Sequence, residues 1–396
     1  MNMAQTYMWQ LADWPAFRFD VAALAAPLSL ARLEQGKVLG LFRAIGVPEH
    51  AGVQRKIWIE EAMATAAIEG ETLDLETVRS SVMRRLAEEG AGSRASRSVD
   101  GLLDVMQDAT SSFRERLDDD RLIRWQSALF PGGTSGIRRI AVGTYRETDD
   151  PMQIVSGAVG HEKVRYEAPK SSDVPPEMTR FLGWWENSRP GASTPMDGVV
   201  RAAVAHLWFE TIHPFEDGNG RVGRAVIDMA LAQDVDNPQR FCSLSRQLMA
   251  QREAYYDGLN AAQRGSLDVT TWVSFFVERY RLACTASQQV VEAAIEKNRF
   301  WATHAHHNLN DRQRKAVKRM LDAGNGGFHG GMSAEKYSHL TGTSKATASR
   351  DLGDLQKAGL LVTTGRGRAT RHWVNVPGWS TGETGEATPQ KMNGEP

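Results

Sequence analysis

Residues 213–224 of this chain read HPFEDGNGRVGR and concentrate more chemistry than any other stretch of the sequence. The glycines predict a tight turn, and the apolar spacing that follows predicts a helix over residues 221–233. Backbone N–H groups at the start of a helix form a site for anions, and glycines let a phosphate approach the backbone closely. The stretch therefore predicts a phosphate-binding turn.

Four side chains of this stretch suit reactions at a phosphate. Asp217 offers the oxygen ligands that Mg²⁺ prefers. Arg221 and Arg224 are three positions apart, so one helical face can present both to phosphate oxygens. His213 stands just ahead, where it can accept the proton of an incoming hydroxyl. Each feature alone also suits a structural turn, a core histidine or a solvated face, but their combination in this order favours phosphoryl or nucleotidyl transfer.

The stretch resembles the signature of the Fic family, His-x-Phe-x-Asp/Glu-Gly-Asn-Gly-Arg-x-x-Arg, without a departure. The resemblance implies transfer of AMP from ATP to a hydroxyl side chain of a target protein. It implies that His213 is the base, that Asp217 binds Mg²⁺, and that Phe215 packs inward. Phosphate contacts are implied for Gly218, Asn219, Gly220, Arg221 and, at the γ-phosphate, Arg224. Gly220 stands where the phosphorylating Doc-like branch carries lysine, which favours nucleotide transfer over phosphorylation.

A second, shorter resemblance lies in residues 65–70, which read TAAIEG. The family pattern here is Ser/Thr-x-x-x-Glu-Gly/Asn, although the same letters also fit a helix that ends at a glycine. The resemblance implies that Glu69 pairs with Arg224, through a charge-assisted contact, and occupies the region of the γ-phosphate. The isolated protein is therefore expected to be autoinhibited.

Two further regions acquire roles through the resemblance. Residues 143–146 and 153–157 read as short strands around a turn, and this hairpin is either a plain surface feature or the family's flap over the site. The flap residues are then Ile154, Val155, Ser156 and Gly157. Within a predicted helix over residues 252–263, the resemblance places Tyr255 and Tyr256 near adenine and ribose, although both also suit a core. Gln263, often asparagine in relatives, is a further nucleotide contact, and His206 is expected to be a core histidine.

The segment 309–376 carries twelve Lys/Arg and five Asp/Glu, a net charge of +7, whereas the whole chain has −1 and the remainder therefore −8. It reads as a helix, a helix-turn-helix pattern and two strands around a basic turn, and so resembles a winged helix. DNA contact and protein docking both remain open for it. The residues expected to meet bases are Lys345, Thr347, Ser349 and Arg350. Those expected to meet phosphates are Arg366, Arg368 and Arg371.

Composition excludes several other classes of protein. The chain has 396 residues with 41% hydrophobic and 24% charged side chains, as in ordinary globular proteins. Its two cysteines are too few for a disulfide framework. No apolar run suggests a membrane span and the N-terminus does not resemble a signal peptide, so a cytoplasmic location is expected. A homodimer is compatible with the family but is indicated by no residue.

These observations predict a mainly α fold: a Fic-type helical bundle with a β-hairpin flap, followed by a winged helix-turn-helix domain of the α+β type. The expected divisions are an arm and helical region with the inhibitory motif over 1–100, a catalytic domain over 101–300, a winged helix over 309–376 and a disordered tail over 377–396. The expected activity is that of a protein adenylyltransferase that uses ATP and Mg²⁺. Two alternatives stay open: a hydrolase that removes AMP with the help of Glu69, and a DNA-binding regulator whose Fic domain senses nucleotide.

Overall fold

The computed structural model describes residues 6–86, 96–148, 151–156 and 163–381, and helices dominate them as expected. The chain divides into a unit that ends at Val291 and a second unit that begins at Glu292. The helices described before that boundary are α1 (Val21–Ala44), α2 (Val47–Ile68), α3 (Leu75–Arg85), α4 (Arg97–Ser111), α5 (Asp119–Leu129), α6 (Val174–Asn187), α7 (Gly198–Ile212), α8 (Asn219–Val235), α9 (Leu244–Ala250) and α10 (Arg252–Gln263). Helix α11 (Thr270–Thr303) contains the boundary itself.

Helix α7 is the centre of the first unit. All of its residues are buried, including His206, which confirms the expectation of a core histidine. A helix without a solvated face requires neighbours on every side. Helix α8 packs along it, and the indole of Trp272 in α11 donates to the carbonyl of Ala203 at 2.8 Å. The turn between α7 and α8, which carries the signature, is therefore held by the most buried pair of helices.

The N-terminal arm docks on this bundle through its aromatic residues. The indole of Trp9 donates to the carbonyl of Glu167 at 2.9 Å, and that of Trp14 to the carboxylate of Glu177 at 2.9 Å. The backbone of Arg18 pairs with the segment before α11. Residues 1–100 thus share one compact unit with the helices that follow, whereas the sequence had suggested a separate region.

Four short strands form two antiparallel hairpins in the first unit: β1 (Thr134–Ser135) with β2 (Arg138–Arg139), and β3 (Gln153–Ser156) with β4 (Lys163–Glu167). Ile154 pairs with Tyr166, and a bulge follows it. The expectation of a strand over residues 143–146 was wrong. The backbone N–H of Arg146 donates instead to the carbonyl of Pro214 at 2.9 Å, so this segment is tied to the signature turn and has no strand partner.

The second unit contains α12 (Asp311–Ala323), α13 (Ala334–Thr341), α14 (Lys345–Lys357) and an antiparallel hairpin of β5 (Leu361–Thr364) and β6 (Arg371–Val374). Ser344 caps α14 by accepting from the N–H of Thr347 at 3.2 Å. Met332 pairs with His372 and extends the hairpin by one bridge. The order of elements is that expected for a winged helix-turn-helix.

The edges of this unit differ from the expected limits of 309 and 376. Phe300 and Trp301, at the end of α11, belong to its apolar core. Trp379 also packs there, and its indole donates to the carboxylate of Glu296 at 2.8 Å. The expectation of disorder was therefore wrong for residues 377–381, and residues 382–396 lie outside those described. Among the described helices, none combines the length and apolar character needed to span a bilayer.

Candidate active site

The turn between α7 and α8 is shaped by two side chains that bind its backbone. His213 ends α7 in the left-handed conformation, with φ 52°. The guanidinium of Arg146 donates to the carbonyl of His213 at 2.8 Å and thereby holds this unusual backbone. Asn219 accepts from the N–H of Phe215 at 2.9 Å and donates to its carbonyl at 2.8 Å. Phe215 itself is fully buried, as expected.

The environment of His213 favours an uncharged imidazole. Burial, with a smaller effect of the Arg146 charge, lowers the pKa of His213 from 6.5 to about 4. A neutral ring keeps one nitrogen able to accept a proton near pH 7. The side chain therefore has the ionisation state that a general base requires.

The start of α8 has the features of an anion site. Gly218 precedes it with φ 90°, and a Cβ there would lie 2.8 Å from the ring of Phe130. The carboxylate of Asp217 accepts from the Gly218 N–H at 2.6 Å and is about one-third exposed. The side chain of Asn219 makes both of these bonds to Phe215, so it holds the turn, and the backbone N–H groups at the start of α8 are available to a phosphate. A Cβ at Gly220 would meet the carboxylate of Glu69 at 2.2 Å.

Glu69 thus lies against the first turn of α8 and pairs with Arg224. The guanidinium of Arg224 lies 2.7 Å from the Glu69 carboxylate, and it also donates to the hydroxyl of Thr65 at 2.6 Å and to the Thr65 carbonyl at 3.0 Å. Arg224 is 3% exposed. Burial alone would lower its pKa, but the Glu69 carboxylate together with Tyr255 and Tyr256 outweighs burial and raises the pKa. One nitrogen of the guanidinium, Nη1, is buried without a hydrogen-bond partner among the described residues.

A second carboxylate from the same segment reaches the other arginine of the signature. Glu71 Oε1 lies 2.8 Å from Arg221 Nη1, and the guanidinium stacks over the ring of Phe130. Arg221 is 7% exposed, whereas the side chain of Glu71 is 45% exposed. A cavity of about 410 Å³ opens beside this pair and is lined in part by the turn over residues 131–136. Both arginines of the signature are therefore bound by carboxylates that lie two residues apart, just after the end of α2.

The end of α2 is held in this position by α10. The carbonyl of Ile68 accepts from Arg252 at 2.8 Å and from the hydroxyl of Tyr256 at 3.1 Å. Tyr256 is partly exposed, so it is the one of the two adjacent tyrosines that a ligand can reach. Tyr255 is buried and bonds to His206 at 2.7 Å, which gives it a core position. Gln263 is also buried and donates to the carbonyl of Glu210 at 3.2 Å.

The hairpin of β3 and β4 lies in the same unit as the signature. The hydroxyl of Tyr166 in β4 donates to the carbonyl of Thr211 at 2.6 Å, two residues before His213. Of the expected flap residues, Ile154, Val155 and Ser156 lie in β3, and Gly157 lies outside the described residues.

Comparison with known proteins relates part of the chain to one family. Residues 116–231 match the Fic/DOC family, and residues 7–87 match a domain of unknown function, DUF4172. The chain therefore contains a domain of the Fic/DOC family. A probable protein adenylyltransferase of Aquifex aeolicus is 28% identical over 130 residues, which are 33% of this chain and 34% of that one. Protein adenylyltransferase Fic of Culex quinquefasciatus is 26% identical over 57% of this chain and 40% of its own length. The chain thus spans about a third to two-fifths of these relatives.

Solved structures show the same fold. A Fic family protein from Desulfovibrio desulfuricans aligns with a TM-score of 0.53 at 21% identity, over 93% of this chain and 98% of that one. A Fic domain containing signaling protein from Bacteroides thetaiotaomicron aligns with a TM-score of 0.50 at 16% identity, over 66% and 97%. The mainly α Fic architecture predicted from the sequence is therefore confirmed.

Several residues at the site were not predicted from the sequence. Glu71, Arg146 and Arg252 lie outside the two motifs, and only the folded chain brings them to the signature turn. Glu71 had one indirect signal, since it follows the inhibitory motif directly. Glu210 lies three residues before His213, and this helical spacing could have identified it.

In the second unit, the expected DNA-contacting residues share the start of α14 and the turn after β5. Lys345, Ser349 and Arg350 are exposed, and Thr347 is partly exposed. Ala346 and Gly353 lie on the same helical face, and a Cβ at Gly353 would meet open space. Arg366 is exposed in the turn, which also contains Arg368, and Arg371 begins β6.

Proposed function

We propose that this protein transfers AMP from ATP to a hydroxyl group of a target protein. His213 takes the hydroxyl proton, the target oxygen forms a bond to the α-phosphorus, and the bond from that phosphorus to the bridging oxygen breaks to release pyrophosphate. The neutral imidazole, 13% exposed and close to a helix start that can bind an anion, carries this proposal. The relatives named protein adenylyltransferases support it.

The residues present suit a magnesium ion bound together with ATP. Mg²⁺ commonly uses one or two carboxylates and completes its ligand shell with water and substrate phosphates. Asp217 supplies one partly exposed carboxylate at the start of α8, and no cluster of three candidate ligand side chains is found among the residues described. Such an ion would neutralise charge on the phosphates, while Arg221 and Arg224 would bind the remaining oxygens.

The proposal predicts a fixed ratio of products. One pyrophosphate should be released for each AMP that becomes attached to protein, because the target oxygen replaces pyrophosphate on the α-phosphorus. The measurement compares pyrophosphate release with protein-bound label from ATP labelled at the α-phosphate. Free AMP in excess of attached AMP would indicate hydrolysis of ATP and would contradict protein modification as the main reaction.

We further propose that Glu69 inhibits this reaction. Its carboxylate occupies the first turn of α8 and is bound to Arg224, so an anion already fills the place where the end of the triphosphate would lie. ATP would then bind with its α-phosphate displaced from the target oxygen. Attack needs close alignment of the reacting atoms, and misplacement slows it steeply.

Glu71 is proposed to strengthen the same closed state through Arg221. Glu71→Gln is expected to raise AMP transfer about twofold to fivefold, because a partly exposed ion pair contributes roughly 0.5–1 kcal/mol. The measurement is the initial rate of label incorporation from ATP. Glu76→Gln is the matched control, since Glu76 is exposed in α3 and pairs with Arg79. Equal rates for Glu71→Gln and wild type would show that Glu71 does not contribute to the inhibition.

A second proposal concerns the C-terminal unit, which we propose contacts DNA through α14 and the β5–β6 turn. The small residues Ala346, Ser349 and Gly353 leave one face of α14 open, with Arg350 beside them. A helix with such a face can approach base edges, and arginine is the side chain most often bonded to guanine. The positive charge of residues 309–376 supports contacts with phosphates.

Combined Arg350→Ala and Arg366→Ala substitution should weaken binding to a random-sequence DNA duplex. Each lost phosphate contact should reduce the slope of log affinity against log salt by about one. The measurement is a fluorescence anisotropy titration at several salt concentrations. Lys357→Ala is the control, because Lys357 is exposed at the opposite end of α14. An unchanged affinity and slope in the double variant would favour protein docking instead.

A further inference from the structure

The carboxyl group of Glu210 is buried beside the proposed base. Glu210 lies in α7 and is 8% exposed. Its Oε2 lies 3.8 Å from Nδ1 of His213. Oε1 of Glu210 and Nδ1 of His213 are both buried without a hydrogen-bond partner among the described residues, although the backbone of Glu210 also lies near the imidazole. A buried carboxyl oxygen without a hydrogen-bond partner costs free energy, so its presence next to the proposed base suggests a function.

The neighbouring helix leaves room for this group. A Cβ on Gly223 of α8 would lie 2.6 Å from Glu210 Oε1 and 3.0 Å from Nδ1 of His206. Any larger residue at position 223 would therefore displace the carboxyl group. The absence of a side chain at Gly223 therefore leaves room for the Glu210 carboxyl group beside His206.

Several charged or titratable groups act on Glu210. Burial has the largest effect on its pKa, the Glu69 charge adds to it, and Arg224 opposes both, so that the pKa of Glu210 is raised to about 8. His206 and His213 face it from its own helix, and Tyr255 approaches from α10. While Glu69 stays in place, most of Glu210 is therefore protonated at pH 7. Loss of the Glu69 charge would lower this pKa and favour the carboxylate.

We propose that Glu210 is a positioning residue for His213, holding Nδ1 as the protonated nitrogen so that Nε2 is free to take the target's proton. A carboxylate beside the far nitrogen of an imidazole orients the ring, selects this tautomer and stabilises the imidazolium that forms. The proton moves from the hydroxyl to Nε2, and Glu210 itself exchanges none in this step. This inference rests on the proposed transfer of AMP.

The test uses Glu210→Gln, which removes the charge and keeps the size, in the Glu69→Gly background. We expect kcat to fall about 10- to 100-fold, as for loss of a hydrogen bond to a charged group, with KM for ATP within about twofold. In the Glu69→Gly parent, kcat should rise with pH as Glu210 ionises. This rise should be absent in the Glu210→Gln variant. Glu210→Asp should keep that rise and restore part of the rate. A kcat within threefold of the parent, with an unchanged pH profile, would overturn the proposal.

A second measurement separates this inference from the proposed function. The ¹⁵N chemical shifts of His213, assigned with His213→Asn as reference, report which ring nitrogen carries the proton. The Glu69→Gly protein should show a protonated Nδ1, and Glu210→Gln should shift the population toward protonated Nε2. Identical tautomers in both proteins would refute the role of Glu210, even if the parent transferred no AMP. A parent without transfer but with the expected tautomer shift would count against the proposed function alone.

Discussion

Glu69→Gly should raise the rate of AMP transfer by at least about tenfold. The contact between Glu69 and Arg224 is a short, largely buried ion pair, and hydrogen bonds to charged groups contribute roughly 1.5–3 kcal/mol, which corresponds to about 10- to 150-fold. Its loss frees Arg224 and the first turn of α8 for phosphate. The measurement is the initial rate of protein labelling by ATP labelled at the α-phosphate.

The substitution is compatible with the local backbone. Glu69 follows the last residue of α2, and Gly70 already has φ 81° there, so a further glycine lies at a helix end where glycine is well tolerated. Glu69→Gln is the graded control. Glutamine can still accept a hydrogen bond from Arg224 but brings no charge, so its rate should lie between those of wild type and Glu69→Gly. Equal rates for all three proteins would contradict inhibition by Glu69.

His213→Ala, made in the Glu69→Gly background, should lower transfer by at least about 100-fold. General base catalysis typically contributes about 10²- to 10⁴-fold, and alanine has no group that can take the hydroxyl proton. Binding of ATP should change little, because the arginines and the start of α8 remain. The measurements are kcat from labelling and the Kd of ATP from titration calorimetry.

Substitutions of His213 need a control for the left-handed backbone at this position, because alanine tolerates that conformation less well than asparagine. His213→Asn should keep the turn and lack the base, so it should be as inactive as His213→Ala. A His213→Asn protein that keeps more than a tenth of the parent's kcat would show that His213 is not the base.

Local sequence was a good guide to the signature turn and its helices. The glycines and the apolar spacing act over a few residues, so α8 begins at Asn219, two residues before its predicted start. Glu69 and Arg224, 155 positions apart, were linked by the resemblance alone, and the structure brings them to 2.7 Å.

Long-range packing accounts for what the sequence did not reveal. Arg146 was read as part of a strand because nothing local showed that it binds the turn 67 residues further along. The contacts of Glu71 with Arg221 and of Arg252 with Ile68 likewise join distant segments. Tyr255 and Tyr256 are adjacent and chemically alike, and only the packing of α10 makes one a core residue and the other accessible.

AMP transfer by His213 under the control of Glu69 is tested most directly with two labels and two proteins. Glu69→Gly and Glu69→Gly/His213→Asn are incubated with ATP labelled at either the α- or the γ-phosphate, and protein-bound label is measured. We expect stable label from the α-position only, in Glu69→Gly and not in Glu69→Gly/His213→Asn. Label from the γ-position, or equal α-label in both proteins, would contradict AMP transfer by His213 under the control of Glu69.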